Sequence, residues 1–390
     1  MVRDIKILND LPSLCIPYQG NKALISKKLM ADMMKYKPKA RYFIDMFGGG
    51  GSMSFLALQM GFDVIYNDLD TSIYKFVKFL MERVEKQERC EFGILPREFY
   101  NFIDRETYYK HKDEDSDFGR YCKFILSFGN MGDTYLYGKD LEEWKRYGCN
   151  FVMFKDKNAL EYIENYYKDS CNQFIKHIID KNTWQERRAE FVNIILKLEA
   201  IKVTGLRHLY DNMTYDQFRN MSNKQLVKDI NKYCPNIPIK DYKNTSLGGG
   251  QRLRLEELKQ LQQLQQLQQL QRLERLERFK DLKLFNLHYK DIDLSKYKDE
   301  EVIIYCDSPY RNTSQYEIEF NFEEYDNWLR DNEKTIFMSE YDMPFTKLNE
   351  YNKRITLAAI NQDSKGEGLY VNHPLKIDSY EETDLFKWNV

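Results

Sequence analysis

The stretch ARYFIDMFGGGGSMSFLALQMGFDVIYNDLD, residues 40–70, restricts the fold of this chain more than any other. An apolar run from Tyr42 to Met46 reads as a strand and enters four successive glycines, Gly48 to Gly51. A helical run from Ser52 to Met60 follows, and a second strand is predicted over Asp63–Tyr66. Strand, glycine turn, helix and strand make a βαβ unit, and such units build mainly parallel sheets with helices on both faces. Further strands are expected in LKLFNLHYKDID at 282–293, EVIIYC at 301–306 and KTIFMS at 334–339. Between the two groups of strands, residues 75–280 are mostly helical in pattern and rich in Tyr, Asn and Lys. The expected organisation is an α/β sheet domain of residues 1–75 and 281–390. It is interrupted by a helical insertion at 76–252 and a Leu/Gln-rich tract at 253–280.

Composition narrows the class. With 42% hydrophobic and 31% charged residues in 390, the chain can bury a core and stay soluble. No run of about 18 apolar residues occurs, so no membrane span is expected. The opening MVRDIKILND has no signal-peptide core. Seven scattered cysteines never fall in CxxC spacing, and five histidines complete no zinc pattern. A reduced, cytoplasmic protein without a structural metal is the expectation. The net charge of −2 hides an asymmetry: residues 171–280 carry 20 Lys and Arg against 12 Asp and Glu, a net of +8. Residues 301–390 carry 9 against 18, a net of −9. A basic middle suits a polyanionic partner, or equally a solvated helical surface.

The segment LRLEELKQLQQLQQLQQLQRLERLERF, residues 253–279, has an apolar residue at every third position from Leu255 to Phe279. Three residues advance an α-helix by about 300°, so a long stripe would wind round it and no heptad coiled coil fits. Gln, Leu, Glu and Arg favour helix, so helix is the expectation, although a three-residue coil would match the period better. The tract reads as a low-complexity spacer without chemistry.

Three local patterns can carry chemistry. The glycine turn lets a ligand approach the backbone before a helix N-terminus, or it is a plain tight turn; it matches neither a phosphate loop nor a full GxGxxG. In YNDLD, Asp68 follows the second strand at the spacing at which a carboxylate accepts from ribose hydroxyls. It would also serve as N-cap to the helix TSIYKFVKFL at 71–80. In IYCDSPYRNTSQY, residues 304–316, an apolar strand ends abruptly at Asp307-Ser308-Pro309-Tyr310. Pro309 stiffens the chain, so that the Ser308 carbonyl and the Asp307 carboxylate form two adjacent acceptors. Two acceptors match the two protons of an aromatic amino group, and Tyr310 can stack on the ring that bears it. The plain alternative is a strand end followed by a turn.

With these residues in view the chain resembles the S-adenosylmethionine-dependent DNA adenine-N6 methyltransferases, the D12 class or alpha group that includes Dam and phage-encoded enzymes. CIPYQGNKALISKKL (15–29) resembles the family's N-terminal cofactor motif, FIDMFGGGGSMS (43–54) its glycine motif, YNDLD its acidic motif and YCDSPYRNTSQY its Asp-Pro-Pro-Tyr motif. SFGNMGDTYLYGKDLEEWK (127–145) is similar to a stretch of the phage branch, and FMSEY and GLYVNHPL to the closing strands. The resemblance implies a Rossmann-like methyltransferase sheet with a target-recognition insertion. It implies catalytic roles for Asp307, Ser308, Pro309 and Tyr310, and cofactor contacts from Tyr18, Lys22, Asp45, Phe47, Gly48, Gly50, Asp68 and Asp307. Ser308 stands where the family has proline.

The implied activity is transfer of a methyl group from S-adenosylmethionine to a flipped adenine in double-stranded DNA. Cytosine-N4 methylation shares the catalytic motif, and a DNA-binding protein that lost catalysis is a rival from another class. Specificity is expected in the insertion. Asn130, Tyr135 and Tyr137 suit base edges and stacking, and Lys139, Arg187, Arg188 and Arg207 suit phosphates, unless the tyrosines are core. Double-stranded DNA is the expected partner of a monomer or weak dimer, with room for a cognate restriction endonuclease.

Overall fold

The structure is a computed structural model describing residues 5–234, 261–276, 278–311, 320–351 and 366–374. The chain divides into two compact units, one of Met1–Lys86 and Arg272–Val390, the other of Gln87–Gln271.

The first unit is built on strands β1 (Tyr42–Asp45), β2 (Asp63–Asn67), β3 (Lys283–Phe285), β4 (Val302–Cys306), β5 (Ile336–Glu340), β6 (Thr346–Tyr351) and β7 (Glu367–Val371). They form one sheet in the order β3-β2-β1-β4-β5-β7-β6. β1 to β5 are parallel, while β7 runs antiparallel to both β5 and β6. A mostly parallel seven-stranded sheet flanked by helices fits a methyltransferase fold. Burial explains the continuous apolar runs: every residue of β4, β5 and β7 is buried. On one face Ile44, Ile65, Ile304, Met338 and Tyr370 pack with Tyr289, Tyr325 and Leu329. The strand expected over 282–293 is only three residues long. After Phe285 the chain turns back, with Asn286 Nδ2 on the Asp68 carbonyl (2.8 Å) and the Leu287 N–H on Asn67 Oδ1 (3.0 Å). An edge strand is often kept this short.

Chain order reverses between β1 and β4, the two strands that leave β1 on either side being β2 and β4. Ligands of open α/β sheets bind beyond the carboxyl ends of the strands at such a point. The glycine turn follows β1, and Asp307-Ser308-Pro309-Tyr310 follows β4.

The second unit is helical among its described residues, the longest helix there being Trp184–Thr204. Local chemistry sets the boundaries. Thr183 and Thr214 open helices with reciprocal capping boxes to Glu186 and Gln217, and Ser116, Asp156 and Ser222 cap others.

The Leu/Gln tract departs from the spacer expectation. Its described part forms an α-helix over Gln262–Gln271 in the second unit, then a 3-10 turn over Arg272–Arg275 in the first. Leu261, Leu264, Leu267, Leu270, Leu273, Leu276 and Phe279 are all buried. Within ten residues the drift of a three-residue stripe is small: Leu264, Leu267 and Leu270 span about 120° of the helix, the width of an ordinary apolar face. In the 3-10 turn that follows, three residues per turn suit the same spacing. The glutamines are bonded within the second unit. Gln263 donates from Nε2 to the Asn101 carbonyl (2.6 Å) and from its backbone N–H to the Tyr137 hydroxyl (3.0 Å). Gln271 Oε1 accepts from Gln185 (2.7 Å).

Candidate functional site

Three segments meet at the turn after β1. The Ile16 N–H donates to the Gly50 carbonyl (2.8 Å), and the Gly49 N–H to Asp68 Oδ2 (2.7 Å). Gly50 has no room for a side chain, since a Cβ there would lie 2.4 Å from the Ile16 carbonyl oxygen. Gly51, at φ +76°, ends the turn and stands as N-cap of the helix Ser52–Gln59. The glycines are therefore demanded by close packing of the chain on itself. Tyr18 lies beside Gly49, and Phe47 packs its ring against Tyr289, Phe320 and Tyr325.

Asp68 accepts from both the Gly49 and the Asp70 N–H groups. The cap of the next helix is Asp70, whose Oδ1 takes the Ser72 N–H at 2.8 Å. Asp68 is thus left to hold the glycine turn, with lone pairs remaining on both oxygens. Burial pushes its carboxyl up to about 7 against the pull of those two donors.

Asp45, at the end of β1, is buried and accepts from the Ser54 hydroxyl at 2.7 Å. Its Oδ1 is buried without a hydrogen-bond partner among the described residues. Burial, opposed by Ser54 and reinforced by Asp307 and Asp68, raises it to about 7.

At the end of β4, Asp307 Oδ2 lies 2.6 Å from the buried Lys22 Nζ, and Oδ1 accepts from the Ser339 hydroxyl at 3.0 Å. Ser339 is braced in turn by the Tyr305 hydroxyl at 2.7 Å. Burial raises Asp307, Lys22 pulls it down and Glu367 pushes it up. The expectation for Lys22 was a cofactor contact; its ammonium reaches the catalytic-motif carboxylate, and it also donates to the Gly20 carbonyl (3.0 Å). Ser308 is buried. Tyr310 donates its hydroxyl to Glu367 Oε1 at 2.5 Å, and its ring meets Tyr341 edge-on at 4.9 Å. Burial, with Asp307 and Glu367 nearby, drives the phenol far above its usual range. Glu340 receives the backbone N–H groups of Tyr341 (2.8 Å) and Arg311 (3.0 Å), and burial lifts it to about 7.

Asp45, Asp68, Asp307 and Glu340 all end or follow parallel strands, and the antiparallel register Glu340↔Gly368 brings Glu367 to the same edge. Ser339, Glu340 and Glu367 were not singled out from the sequence. For Glu367, a carboxylate opening the apolar run GLYV was the one available sign.

The residues expected to touch DNA divide. Tyr135 is buried with its hydroxyl on the Ile103 carbonyl (2.5 Å), and Tyr137 is buried under Gln263. Arg187 is buried too, its guanidinium taking the Val152 (2.6 Å) and Met153 (3.0 Å) carbonyls that end the helix Glu142–Phe154. These three are core and capping residues, which leaves them no face for DNA. Arg188 reaches Gln268 (3.0 Å) and Gln265 (3.3 Å), and Arg207 pairs with Asp211 (2.9 Å). Asn130, at φ +59°, donates to the Phe124 carbonyl and so shapes its own loop. Lys139 is exposed, as is Phe128, the large apolar side chain of that loop.

Residues 18–145 match the model of the D12 class N6 adenine-specific DNA methyltransferase family. The chain is similar to that family. The match supports a DNA methyltransferase activity, and it leaves Asp307–Tyr310 outside the matched residues; parallel pairing of β1 with β4 is what joins the two. A search of curated proteins finds no match. Among the described residues, no helix is long and apolar enough to cross a membrane, and no group of three or more His, Cys, Asp or Glu is arranged to hold a metal ion.

Proposed function

We propose that the protein methylates the N6 amino group of adenine in double-stranded DNA, using S-adenosylmethionine. One juxtaposition carries this reading: the Asp307 carboxylate ends β4 directly beside β1 and its glycine turn, at the crevice where chain order reverses. S-adenosylmethionine, when bound, supplies a methyl group made electrophilic by a positive sulfur. The residues fit such a group. Asp68 would accept from ribose hydroxyls, and the partnerless Oδ1 of Asp45 suits a cationic donor. Tyr18, Phe47, Gly48 and Gly50 would line the remainder, along an edge whose carboxylates favour a net positive ligand.

The target adenine is extruded from the stack, at a cost of a few kcal/mol. Asp307 and the Ser308 carbonyl accept its two amino protons, which favours the pyramidal nitrogen and makes its lone pair available. Tyr310 stacks on the ring, a contact worth about 1–3 kcal/mol. The amine becomes acidic only as its new bond forms, so no early general base is needed. Exposed groups of the second unit, Phe128, Lys139 and Arg207, are the candidates for DNA contact.

The test is methyl transfer from labelled S-adenosylmethionine to duplex DNA by the purified protein, with the product hydrolysed to nucleosides. Label in N6-methyl-2′-deoxyadenosine supports the proposal, and label in N4-methyl-2′-deoxycytidine redirects it to cytosine. Binding of DNA without transfer would make the protein a binder that has lost catalysis.

A further inference from the structure

Glu367 opens β7, and its side chain is fully buried. It belongs to none of the motifs that point to catalysis. Yet its Oε1 accepts the Tyr310 hydroxyl at 2.5 Å and lies 3.4 Å from Lys22 Nζ, which is itself 2.6 Å from Asp307 Oδ2. A single carboxylate on an antiparallel strand thus touches one end of the catalytic tetrapeptide directly and the other through one lysine. Among the described residues, the Lys22 ammonium meets the Gly20 carbonyl, Asp307 and Glu367.

The consequence for Tyr310 is geometric. A tyrosine at the end of a strand can swing about two side-chain bonds, and a stacking platform that swings cannot align a base. Here the hydroxyl is held by Glu367, the edge by Tyr341 and the ring face by Lys22, whose Nζ lies 4.7 Å from the centroid. Burying a carboxylate is costly unless it is paired and hydrogen-bonded, and breaking such a group costs more than an apolar replacement would. Glu367 is buried against Tyr310, which must be aligned, and against Lys22, which holds Asp307.

We propose that Glu367 is the positioning residue of this site: it fixes Tyr310 through the hydroxyl and Asp307 through Lys22 before the base arrives. The proposal rests on the methyltransferase reading. Misplacement of a reacting group by about 1 Å costs on the order of 100-fold in rate. Glu367→Ala should therefore slow single-turnover methylation about 100-fold, with cofactor and DNA affinities, measured by calorimetry, changed less than about threefold. Glu367→Gln keeps an oxygen for the Tyr310 hydroxyl and should recover most of that loss. Tyr310→Phe removes only the hydroxyl, leaves the ring, and should slow the reaction about tenfold. Because both substitutions cut the same tie, the double variant Glu367→Ala/Tyr310→Phe should be no slower than Glu367→Ala alone. Additive losses, or Tyr310→Phe at the wild-type rate, would overturn the positioning role while leaving the methyltransferase reading intact. A wild-type protein that transfers no methyl group would overturn both.

Discussion

Asp307–Tyr310 and the tract Gln262–Gln271 look like opposites in the sequence. One is four different residues with chemical variety, the other a repeat of two residue types. In the structure nearly all residues of both are buried or half-buried, and both are well hydrogen-bonded. What differs is the kind of partner. Asp307 is itself a carboxylate, met by an ammonium, a hydroxyl and the nearby Glu367, while the tract's glutamines are neutral groups met by carbonyls, amides, hydroxyls, a guanidinium and the Lys145 ammonium. Compositional simplicity is therefore no measure of structural demand. Buried charge with ionisable neighbours, rather than buried polarity, separates the candidate site from the scaffold.

The sharpest break of this comparison is Asp307→Ala. It leaves Lys22 facing Glu367 and removes the acceptor for the target amine. Single-turnover methylation should fall by more than about 100-fold, roughly 3 kcal/mol of barrier, with cofactor affinity within a few-fold. A variant keeping a tenth of the wild-type rate would refute the assignment of Asp307.

The tract answers to register instead. Deleting Gln266 would move glutamine into the buried positions of Leu261 and Leu264, burying polar groups without partners, at a cost of several kcal/mol. Deleting Gln262-Gln263-Leu264 lets the repeat refill itself: Leu261, Gln260 and Leu258 move into the places of Leu264, Gln263 and Leu261. Chemical denaturation should therefore show the single-residue deletion far less stable than the triplet deletion, which should stay within about 1–2 kcal/mol of wild type. Equal losses for the two would mean that register is not what the tract protects.

These cases show what could be read in advance. The βαβ unit was legible because glycine spacing and apolar period are local signals, and β4 because a strand covered on both faces must be apolar throughout. Seating of the tract was not, because a period of three argues against a long helix but says nothing of a ten-residue one. Tyr135 and Tyr137 were ambiguous for a related reason: a tyrosine is core or contact according to whether its hydroxyl finds a buried acceptor, here Ile103 for Tyr135. Asp68 was read as the helix cap, whereas Asp70, the residue directly before Thr71, holds that place. For Glu367 the sequence offered only a carboxylate opening an apolar run, because its hydrogen-bond partner Tyr310 lies 57 residues away.

A smaller effect tests whether buried charge marks the site. Asp45 is raised from 3.8 to about 7 by burial, so the native state favours its protonated form. A group with a raised folded pKa stabilises the fold fully below its unfolded pKa, and that contribution is lost as pH rises toward the folded value. Between about pH 4 and 7, Asp45 should make the protein progressively less stable as pH increases. Asp45→Asn, which cannot ionise, should flatten that decline in melting temperature. An unchanged slope would show that Asp45 is solvated in solution.

The smallest effect concerns charge outside the site, where Lys139 and Arg187 form a contrasting pair. Both were read as phosphate contacts, yet Lys139 is exposed while Arg187 is buried on the carbonyls that end a helix. Arg187→Ala strips partners from those carbonyls and should lower stability by a few kcal/mol. Lys139→Ala should leave stability within about 0.5 kcal/mol. If Lys139 meets a phosphate, its loss weakens DNA binding about equally on all sequences. It also lowers the slope of log affinity against log salt by about one, because one fewer counterion is released. Titrating duplex DNA at several salt concentrations reads that slope directly. A slope identical to wild type removes Lys139 from the interface and leaves Arg207 as the next exposed cation to examine.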